Sequence, residues 1–279
     1  QRDAFEHIIG PTDFTLVVGY AGTGKSAMLG VAREAWETQG YQVRGAALSG
    51  IAAEGLEGGS GIASRTIASL EHGWAQGRDL LTARDVLVID EAGMIGSRQM
   101  DRVLAHAVQA GAKVVLVGDA EQLQAIEAGA AFRALTERHG AAEINEIRRQ
   151  HEAWQREATR ELATGRTGAA LDRYEAAGMV CGHATREAAR GALVDGWDAV
   201  RRVRPETSQV MLAHTRADVA EINQLARRRL RETGDQHVGG LGPDHLVQTE
   251  RGERFFAAGD RVMFLRNERS LGVKNGTLG

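Results

Sequence analysis

Residues 19–26 have the types and the spacing that a phosphate-binding loop needs. They read Gly-x-x-x-x-Gly-Lys-Ser between an apolar segment and a helical pattern. Glycine lets the backbone turn successive N–H groups toward phosphate oxygens, and a helix N-terminus favours an anion. Lys25 would place a positive charge at the β- and γ-phosphates, and the Ser26 hydroxyl would be a magnesium ligand. The residues predicted to bind the nucleotide in this loop are Gly22, Thr23, Gly24, Lys25 and Ser26.

A pair of carboxylates, Asp90 and Glu91, follows the fully apolar segment 86–89. At the end of a buried strand beside a phosphate-binding loop, the first carboxylate can hold magnesium through water and the second can orient the attacking water. Two acids are also typical of an ordinary strand end or helix start. Their position downstream of Lys25 favours the catalytic interpretation, with Asp90 at the metal and Glu91 as the base.

The elements that would position these side chains are those of a parallel sheet flanked by helices. Strand-like apolar segments alternate with helical patterns, which is typical of a doubly wound α/β domain. The carboxyl ends of such strands form the crevice in which a nucleotide binds, and three of the predicted strands end in polar residues. The predicted strands are residues 14–18, 41–48, 86–89, 113–117 and 142–145. We assign this first domain to residues 1–146.

A second α/β domain is predicted over residues 147–279. Helical patterns alternate with short apolar segments here as well. The predicted helices are residues 151–177, 187–203 and 218–231. The predicted strands are residues 179–183, 210–213 and 260–265.

The composition excludes several classes of protein. A chain of 279 residues with 43% hydrophobic content can build two cores. A net charge of -3 argues against binding of nucleic acid by overall charge, but it leaves room for local basic surface. A single cysteine excludes an internal disulfide and a thiolate metal cluster, and it fits a reducing cytoplasm. No apolar segment is long enough to cross a bilayer, so we expect a cytoplasmic protein without membrane insertion.

Both ends indicate that the chain is part of a longer polypeptide. Gln1 begins inside a helical pattern, and the last residues come directly after the turn signal Asn275-Gly276. The sequence carries no indication of the oligomeric state.

The order of the motifs resembles that of the RecD-like superfamily 1 DNA helicases over essentially the whole chain. The segments similar to helicase motifs I, Ia, II, III and IV are, in turn, residues 19–26, 48–53, 90–94, 118–123 and 144–150. Residues 44–66 look like the helicase region of TraA-type conjugative relaxases. The resemblance implies two RecA-like P-loop NTPase domains, the second incomplete and ending near an SH3-like insertion.

The same resemblance implies roles for individual residues. Gln1 would read adenine, Gln122 would sense the γ-phosphate, and Arg149 would be an arginine finger. Ser49 and Thr66 would contact DNA. The implied cofactors are ATP and Mg²⁺, and the implied partners are single-stranded DNA and the conjugative transfer machinery. There is little room between Thr66 and the motif II strand for a duplex-splitting hairpin, so we do not expect this segment alone to separate strands.

Two functions from different classes remain open at this stage. One is an ATP-hydrolysing helicase or translocase motor of a conjugative relaxase that moves on single-stranded DNA, with the 5′ to 3′ direction implied only by the resemblance. The other is a nucleotide-dependent DNA clamp or scaffold of a conjugation complex, without productive unwinding. An RNA helicase or an unrelated phosphate-loop ATPase is less favoured, because Gln122 and the Arg149-Gln150 pair follow the DNA helicase order. DNA-stimulated ATP turnover separates the first two functions.

Overall fold

The computed structural model divides the chain into two compact units. The first comprises Gln1–Met179 with Leu265–Thr277, and the second comprises Val180–Phe264 with Leu278–Gly279. The described residues are 1–19, 23–119, 131–144, 150, 152–232, 240–249, 252–265, 269–271, 273 and 278–279. The domain boundary predicted at residue 146 lies earlier in the chain than this division and remains a prediction.

A sheet of six strands forms the centre of the first unit. The strands are β1 Phe14–Gly19, β2 Gln42–Ala47, β3 Ser64–Thr66, β4 Asp85–Ile89, β5 Lys113–Gly118 and β6 Ala142–Ile144. Their order is β3-β2-β4-β5-β1-β6, and every neighbouring pair is parallel. Parallel strands of this kind are covered on both faces, which explains why β4 is buried at all five positions. The predicted α/β fold with a parallel sheet is therefore confirmed.

Helices cover both faces of this sheet. The helices of the first unit are α1 Arg2–Ile9, α2 Lys25–Thr38, α3 Gly50–Ser60, α4 Ile67–Ala75, α5 Ser97–Ala110, α6 Ala131–His139, α7 Ala153–Ala163 and α8 Thr167–Ala176. Successive side chains of a strand point to opposite faces, so Val86 and Val88 pack with α1, α2 and α3. Leu87 and Ile89 pack with α4, α5 and α6 on the other face.

The helical pattern predicted for residues 151–177 is two helices, α7 and α8. The chain turns at Gly165, whose φ of 75° lies in the left-handed region that favours glycine. The buried carboxylate of Glu161 accepts two hydrogen bonds from Arg173, at 2.8 and 3.1 Å. The rings of Trp154 and Tyr174 meet edge to face with centroids 5.3 Å apart. These contacts hold α7 and α8 together as a helical hairpin.

The second unit contains two long helices and a β-hairpin. Its elements are α9 Arg186–Val203, α10 Arg216–Glu232, β7 His245–Thr249 and β8 Gly252–Phe256. A small core of Val194, Ile222 and Ala226 joins α9 to α10. β7 and β8 pair in antiparallel register and were not predicted from the sequence. Short 3-10 turns cover Ala92–Met94 in the first unit and Arg269–Leu271 near the end of the chain.

The strands predicted at residues 179–183, 210–213 and 260–265 are wrong. None of these segments is a strand in the described structure, apart from an isolated bridge between Met263 and Leu278. An apolar segment becomes a strand only when a neighbouring backbone takes its hydrogen bonds. Among the described residues no strand pairs with residues 210–213, and the side chains of Val210 (79%) and Leu212 (82%) are exposed. The predicted second RecA-like domain is therefore not confirmed.

Among the described residues, no helix has both the length and the apolar character needed to span a membrane.

Candidate active site

The predicted phosphate-binding loop joins β1 to α2. β1 ends at Gly19 and α2 begins at Lys25, after Gly24 with a left-handed backbone at φ 80°. The Lys25 Nζ donates a hydrogen bond to the Gly19 carbonyl oxygen over 2.5 Å, so the lysine folds back over the start of the loop. Thr23 is completely buried. The lysine charge and the start of α2 therefore lie at the carboxyl edge of the sheet. Gly22, the remaining residue predicted to bind nucleotide here, lies outside the described residues.

Gln1 contacts the backbone of this loop. Its side-chain Nε2 donates a hydrogen bond to the Thr23 carbonyl oxygen over 2.7 Å. A side chain at Gly24 would bring its Cβ into collision with the same nitrogen. Gln1 and Gly24 therefore fit each other closely, while adenine recognition by Gln1 remains a prediction.

Asp90 and Glu91 lie at the carboxyl end of β4. The Asp90 N–H donates to the Ala46 carbonyl oxygen at 3.0 Å, and the Glu91 N–H donates to the Asp90 Oδ1 at 2.9 Å. Glu91 has a φ of 53°, a left-handed conformation that is uncommon for a residue other than glycine. Strained conformations of this kind cluster at functional sites, where the surrounding structure holds them in place.

Both carboxyl groups have raised pKa values. Burial raises the pKa of Asp90, while the Glu91 N–H and the Lys25 charge oppose the rise. Burial also raises the pKa of Glu91, and the charges of Asp90 and Asp119 add to the rise while Lys25 opposes it. A group of acids with too little positive charge around it gains from a bound cation.

The residues present fit a magnesium ion that is shared with phosphate. Among the described residues there is no group of three or more His, Cys, Asp or Glu side chains that could hold a metal. Mg²⁺ beside a nucleotide takes only one or two protein oxygens and completes its shell with phosphate oxygens and water. The Ser26 hydroxyl, in the first turn of α2, and the Asp90 carboxylate, directly after β4, are donors of this kind.

Motif II and motif III are in direct contact. A Cβ at Gly93 would lie 2.8 Å from the Asp119 carbonyl oxygen, and a Cβ at Gly118 would lie 3.1 Å from the Gly93 nitrogen. The buried ring of Phe132, on α6, packs against Gly118 at the same place, since a Cβ at Gly118 would also lie 3.0 Å from a ring carbon of Phe132. Asp119 is itself buried. Sequence reasoning did not include it among the site residues, although its place at the end of a predicted strand was a usable signal.

The two predicted DNA-contact residues begin helices at the same edge of the sheet. Ser49 is the N-cap of α3, and its Oγ accepts a hydrogen bond from the Ala52 N–H at 3.2 Å. Thr66 is the N-cap of α4, and its Oγ1 accepts from the Ser69 N–H at 3.2 Å. Ser49 follows β2, and Thr66 is the last residue of β3, the adjacent parallel strand. Each hydroxyl keeps its own O–H to donate to an anion beside a helix N-terminus.

The structure thus brings most of the predicted site residues to one edge of one sheet. The loop and the acids follow β1, β4 and β5, which are neighbours in the order β4-β5-β1. Ser49 and Thr66 extend this edge on the side of β2 and β3. Gln122 and Arg149 lie outside the described residues, so their roles remain predictions.

Comparison with known proteins agrees with this arrangement. Residues 1–185 match the family described as "AAA domain". The conjugal transfer protein TraA of Rhizobium radiobacter is 49% identical over 280 residues, which cover 100% of this chain and 25% of that protein. The ATP-dependent RecD2 DNA helicase of Deinococcus radiodurans is 32% identical over 139 residues, covering 48% of this chain and 19% of that protein.

A third relative is also a conjugation protein. The multifunctional conjugation protein TraI of Escherichia coli is 32% identical over 153 residues, covering 52% of this chain and 9% of that protein. The chain spans about a quarter of the length of the TraA relatives that it matches. It belongs to the AAA domain family, as a RecD-like superfamily 1 helicase region of the TraA type.

Proposed function

We propose that this chain is the ATP-hydrolysing motor segment of a conjugative DNA helicase, which moves along single-stranded DNA in the 5′ to 3′ direction. It would act in the cytoplasm together with the conjugative transfer machinery. One observation carries the proposal. The nucleotide loop, the paired acids and the two hydroxyl N-caps follow neighbouring strands of one sheet and therefore share its carboxyl edge.

Four of the described residues are assigned to the chemistry of hydrolysis. Lys25 holds the β- and γ-phosphates, and Ser26 and Asp90 hold the magnesium ion, which supplies positive charge to those phosphates when bound. Glu91 orients the attacking water and accepts its proton. The raised pKa of Glu91 suits this role, because a carboxylate that holds a proton more strongly is a better base once it has lost it.

DNA binding is assigned to the other half of the same edge. Ser49 and Thr66 donate their O–H groups to successive phosphates, and the free N–H groups at the starts of α3 and α4 add to the attraction. Contacts of this kind use backbone dipoles and hydroxyls, so they are compatible with a net charge of -3.

One observation favours the alternative of a nucleotide-dependent DNA clamp or scaffold. The described residues of the second unit form no parallel sheet, so they provide no second RecA-like domain that could move against the first. A chain that binds ATP and DNA without such a partner would hold DNA without translocating.

The test is ATP hydrolysis by this chain with and without single-stranded DNA. A motor segment hydrolyses ATP faster when single-stranded DNA is present, and double-stranded DNA of the same length stimulates it less. A clamp binds both ligands, and its hydrolysis rate does not respond to DNA. Absence of any binding of Mg²⁺-ATP would contradict both functions.

A further inference from the structure

The end of α3 packs closely against the start of α2. The α2 residues on this face are spaced as i, i+4 and i+7, which places them on one side of the helix. They are Ser26, Gly30 and Arg33, and they face Gly59, Ser60 and Gly61 of α3 and its C-cap. The two helices therefore meet at three successive levels, and the first level involves the predicted magnesium ligand.

The approach is closest at Gly59. A Cβ built at this residue would lie 2.8 Å from the Ser26 Cβ and 3.2 Å from its Oγ. Real Cβ atoms do not come within 3.0 Å of such neighbours, so any side chain at residue 59 would have to displace one of the helices. The Ser26 Cβ cannot rotate away, since it is attached directly to the backbone of the first turn of α2.

The end of α3 is anchored and cannot easily move away. Leu56 is buried in the core between α3 and the sheet. The buried Ser60 donates its Oγ–H to the Leu56 carbonyl oxygen over 2.5 Å and accepts from the Ile62 N–H at 3.2 Å. On α2, Arg33 donates to the Gly61 carbonyl oxygen at 3.1 Å. A displacement caused at residue 59 would therefore pass mainly to Ser26.

We propose that Gly59 is a positioning residue for the Ser26 hydroxyl. The missing side chain at Gly59 lets α3 support the first turn of α2, and this support holds the Ser26 Oγ where it can bind magnesium. The inference rests on the proposed magnesium role of Ser26. Gly58 provides the contrast, because a Cβ there would meet nothing within 4 Å. Glycine inside a helix is less favourable than alanine, so Gly58→Ala should only gain helix stability.

The experiment compares Gly59→Ala with Gly58→Ala in the complete chain. Binding of a non-hydrolysable ATP analogue is measured by calorimetry over a range of Mg²⁺ concentrations and in EDTA, and ATP hydrolysis is measured over the same range. Gly59→Ala should raise the Mg²⁺ concentration for half-maximal binding by about tenfold, the effect expected of a moderate steric displacement. Its affinity for the analogue in EDTA should match that of the wild type. Gly58→Ala should match the wild type under both conditions.

A second comparison tests whether the effect passes through Ser26. In a Ser26→Ala background the hydroxyl is already gone, so adding Gly59→Ala should change the Mg²⁺ dependence no further. Additive effects of the two substitutions would overturn the inference, as would equal Mg²⁺ profiles for Gly59→Ala and Gly58→Ala. If Gly59→Ala does not fold, Gly30→Ala replaces it, since its Cβ would lie 3.2 Å from the Ser60 carbonyl oxygen and intrude less. A Gly30→Ala profile identical to the wild type would then contradict the inference.

Failure of the proposed function has a different signature. A wild-type chain that binds the analogue equally well with Mg²⁺ and in EDTA would remove the magnesium role of Ser26, whatever the variants do. A wild-type chain with normal Mg²⁺ dependence and an unaffected Gly59→Ala would remove only the positioning role.

Discussion

At the scale of single residues, Lys25 and Glu91 carry the chemistry in two different ways. Lys25 acts as a charge, and its hydrogen bond to the Gly19 carbonyl oxygen already holds it over the loop. Glu91 acts as a base, and its left-handed backbone conformation determines the direction in which its side chain leaves the main chain. Substitution of Lys25 should therefore affect both nucleotide binding and ATP turnover, and substitution of Glu91 should affect turnover alone.

Lys25→Ala should abolish ATP turnover and leave the fold intact, because the shape of the loop depends on its backbone. The measurement is the hydrolysis rate together with a thermal unfolding curve. Lys113→Ala is the matched control in the same unit. Lys113 is the first residue of β5, at the end of the strand away from the site, and donates to the Gly10 carbonyl oxygen at 2.9 Å. Its loss should therefore lower the unfolding temperature and leave turnover per folded molecule unchanged. Wild-type turnover in Lys25→Ala would contradict the assignment of the loop.

Glu91→Gln should keep the binding of Mg²⁺-ATP and lose hydrolysis, because it keeps size and hydrogen bonding but removes the base. The same role predicts a pH dependence in the wild type. Glu91 must be deprotonated to act, and its pKa lies above the ordinary value of 4.5, so the rate should fall as the pH is lowered toward that raised pKa. Calorimetry and a pH–rate profile check both points. Loss of nucleotide binding in Glu91→Gln would count against the role as base.

At the scale of elements, α4 and α5 meet through an aromatic stack that predicts a pH dependence of stability. The rings of Trp74 and His106 lie 4.1 Å apart at an interplanar angle of 14°. The His106 Nε2 is buried without a hydrogen-bond partner among the described residues. Burial lowers the pKa of His106 below its ordinary value of 6.5, because the charged ring would lose its solvation. Folding therefore favours the neutral form of the ring.

The sign of the pH dependence follows from this lowered pKa. Below pH 6.5 the unfolded chain takes up the proton first, so the free energy of unfolding should fall as the pH decreases toward the pKa of the folded state. His106→Phe should remove this part of the pH dependence and keep the stack on Trp74. Urea unfolding at several pH values between about 5 and 8 measures it. The exposed His72→Phe is the control, and an unchanged pH slope in His106→Phe would contradict the prediction.

At the scale of the whole molecule, the predicted nucleotide site combines residues of the first unit with Arg149, which lies outside the described residues. The chain covers a quarter of its TraA relatives, and its second unit contributes helices and a hairpin in the described residues. Arg149 is the residue that the helicase resemblance assigns to the transition state of hydrolysis. The effect of Arg149 on the hydrolysis rate should therefore depend on how the complete nucleotide site assembles.

Arg149→Ala should reduce the rate of ATP hydrolysis roughly a thousandfold and change ATP affinity little, since an arginine finger stabilises charge that develops only in the transition state. Arg148→Ala is the matched control and should have a mild effect. Single-turnover hydrolysis and nucleotide binding measure the two quantities. A severe Arg148→Ala with a harmless Arg149→Ala would mean that the motif alignment is shifted by one residue.

The sequence by itself determined the parts of this protein that depend on short-range spacing. The phosphate-binding loop, the acids after β4 and the buried strands of the first unit follow from patterns of a few residues, because a turn, a helix start or an apolar strand is specified locally. The helicase resemblance rests on short motifs of this kind, and the relatives agree with it.

Only the tertiary structure decided what depends on contacts between distant residues. Strand order, the approach of Gly59 to Ser26 and the packing of Gly93 against Asp119 join elements far apart in the chain. Residues 210–213 have the apolar pattern of a strand and are not one, since strand formation requires a partner backbone that the pattern itself does not supply. β7 and β8 pair although both strands are largely exposed. Neither strand therefore has the alternation of buried and exposed residues on which a strand prediction depends.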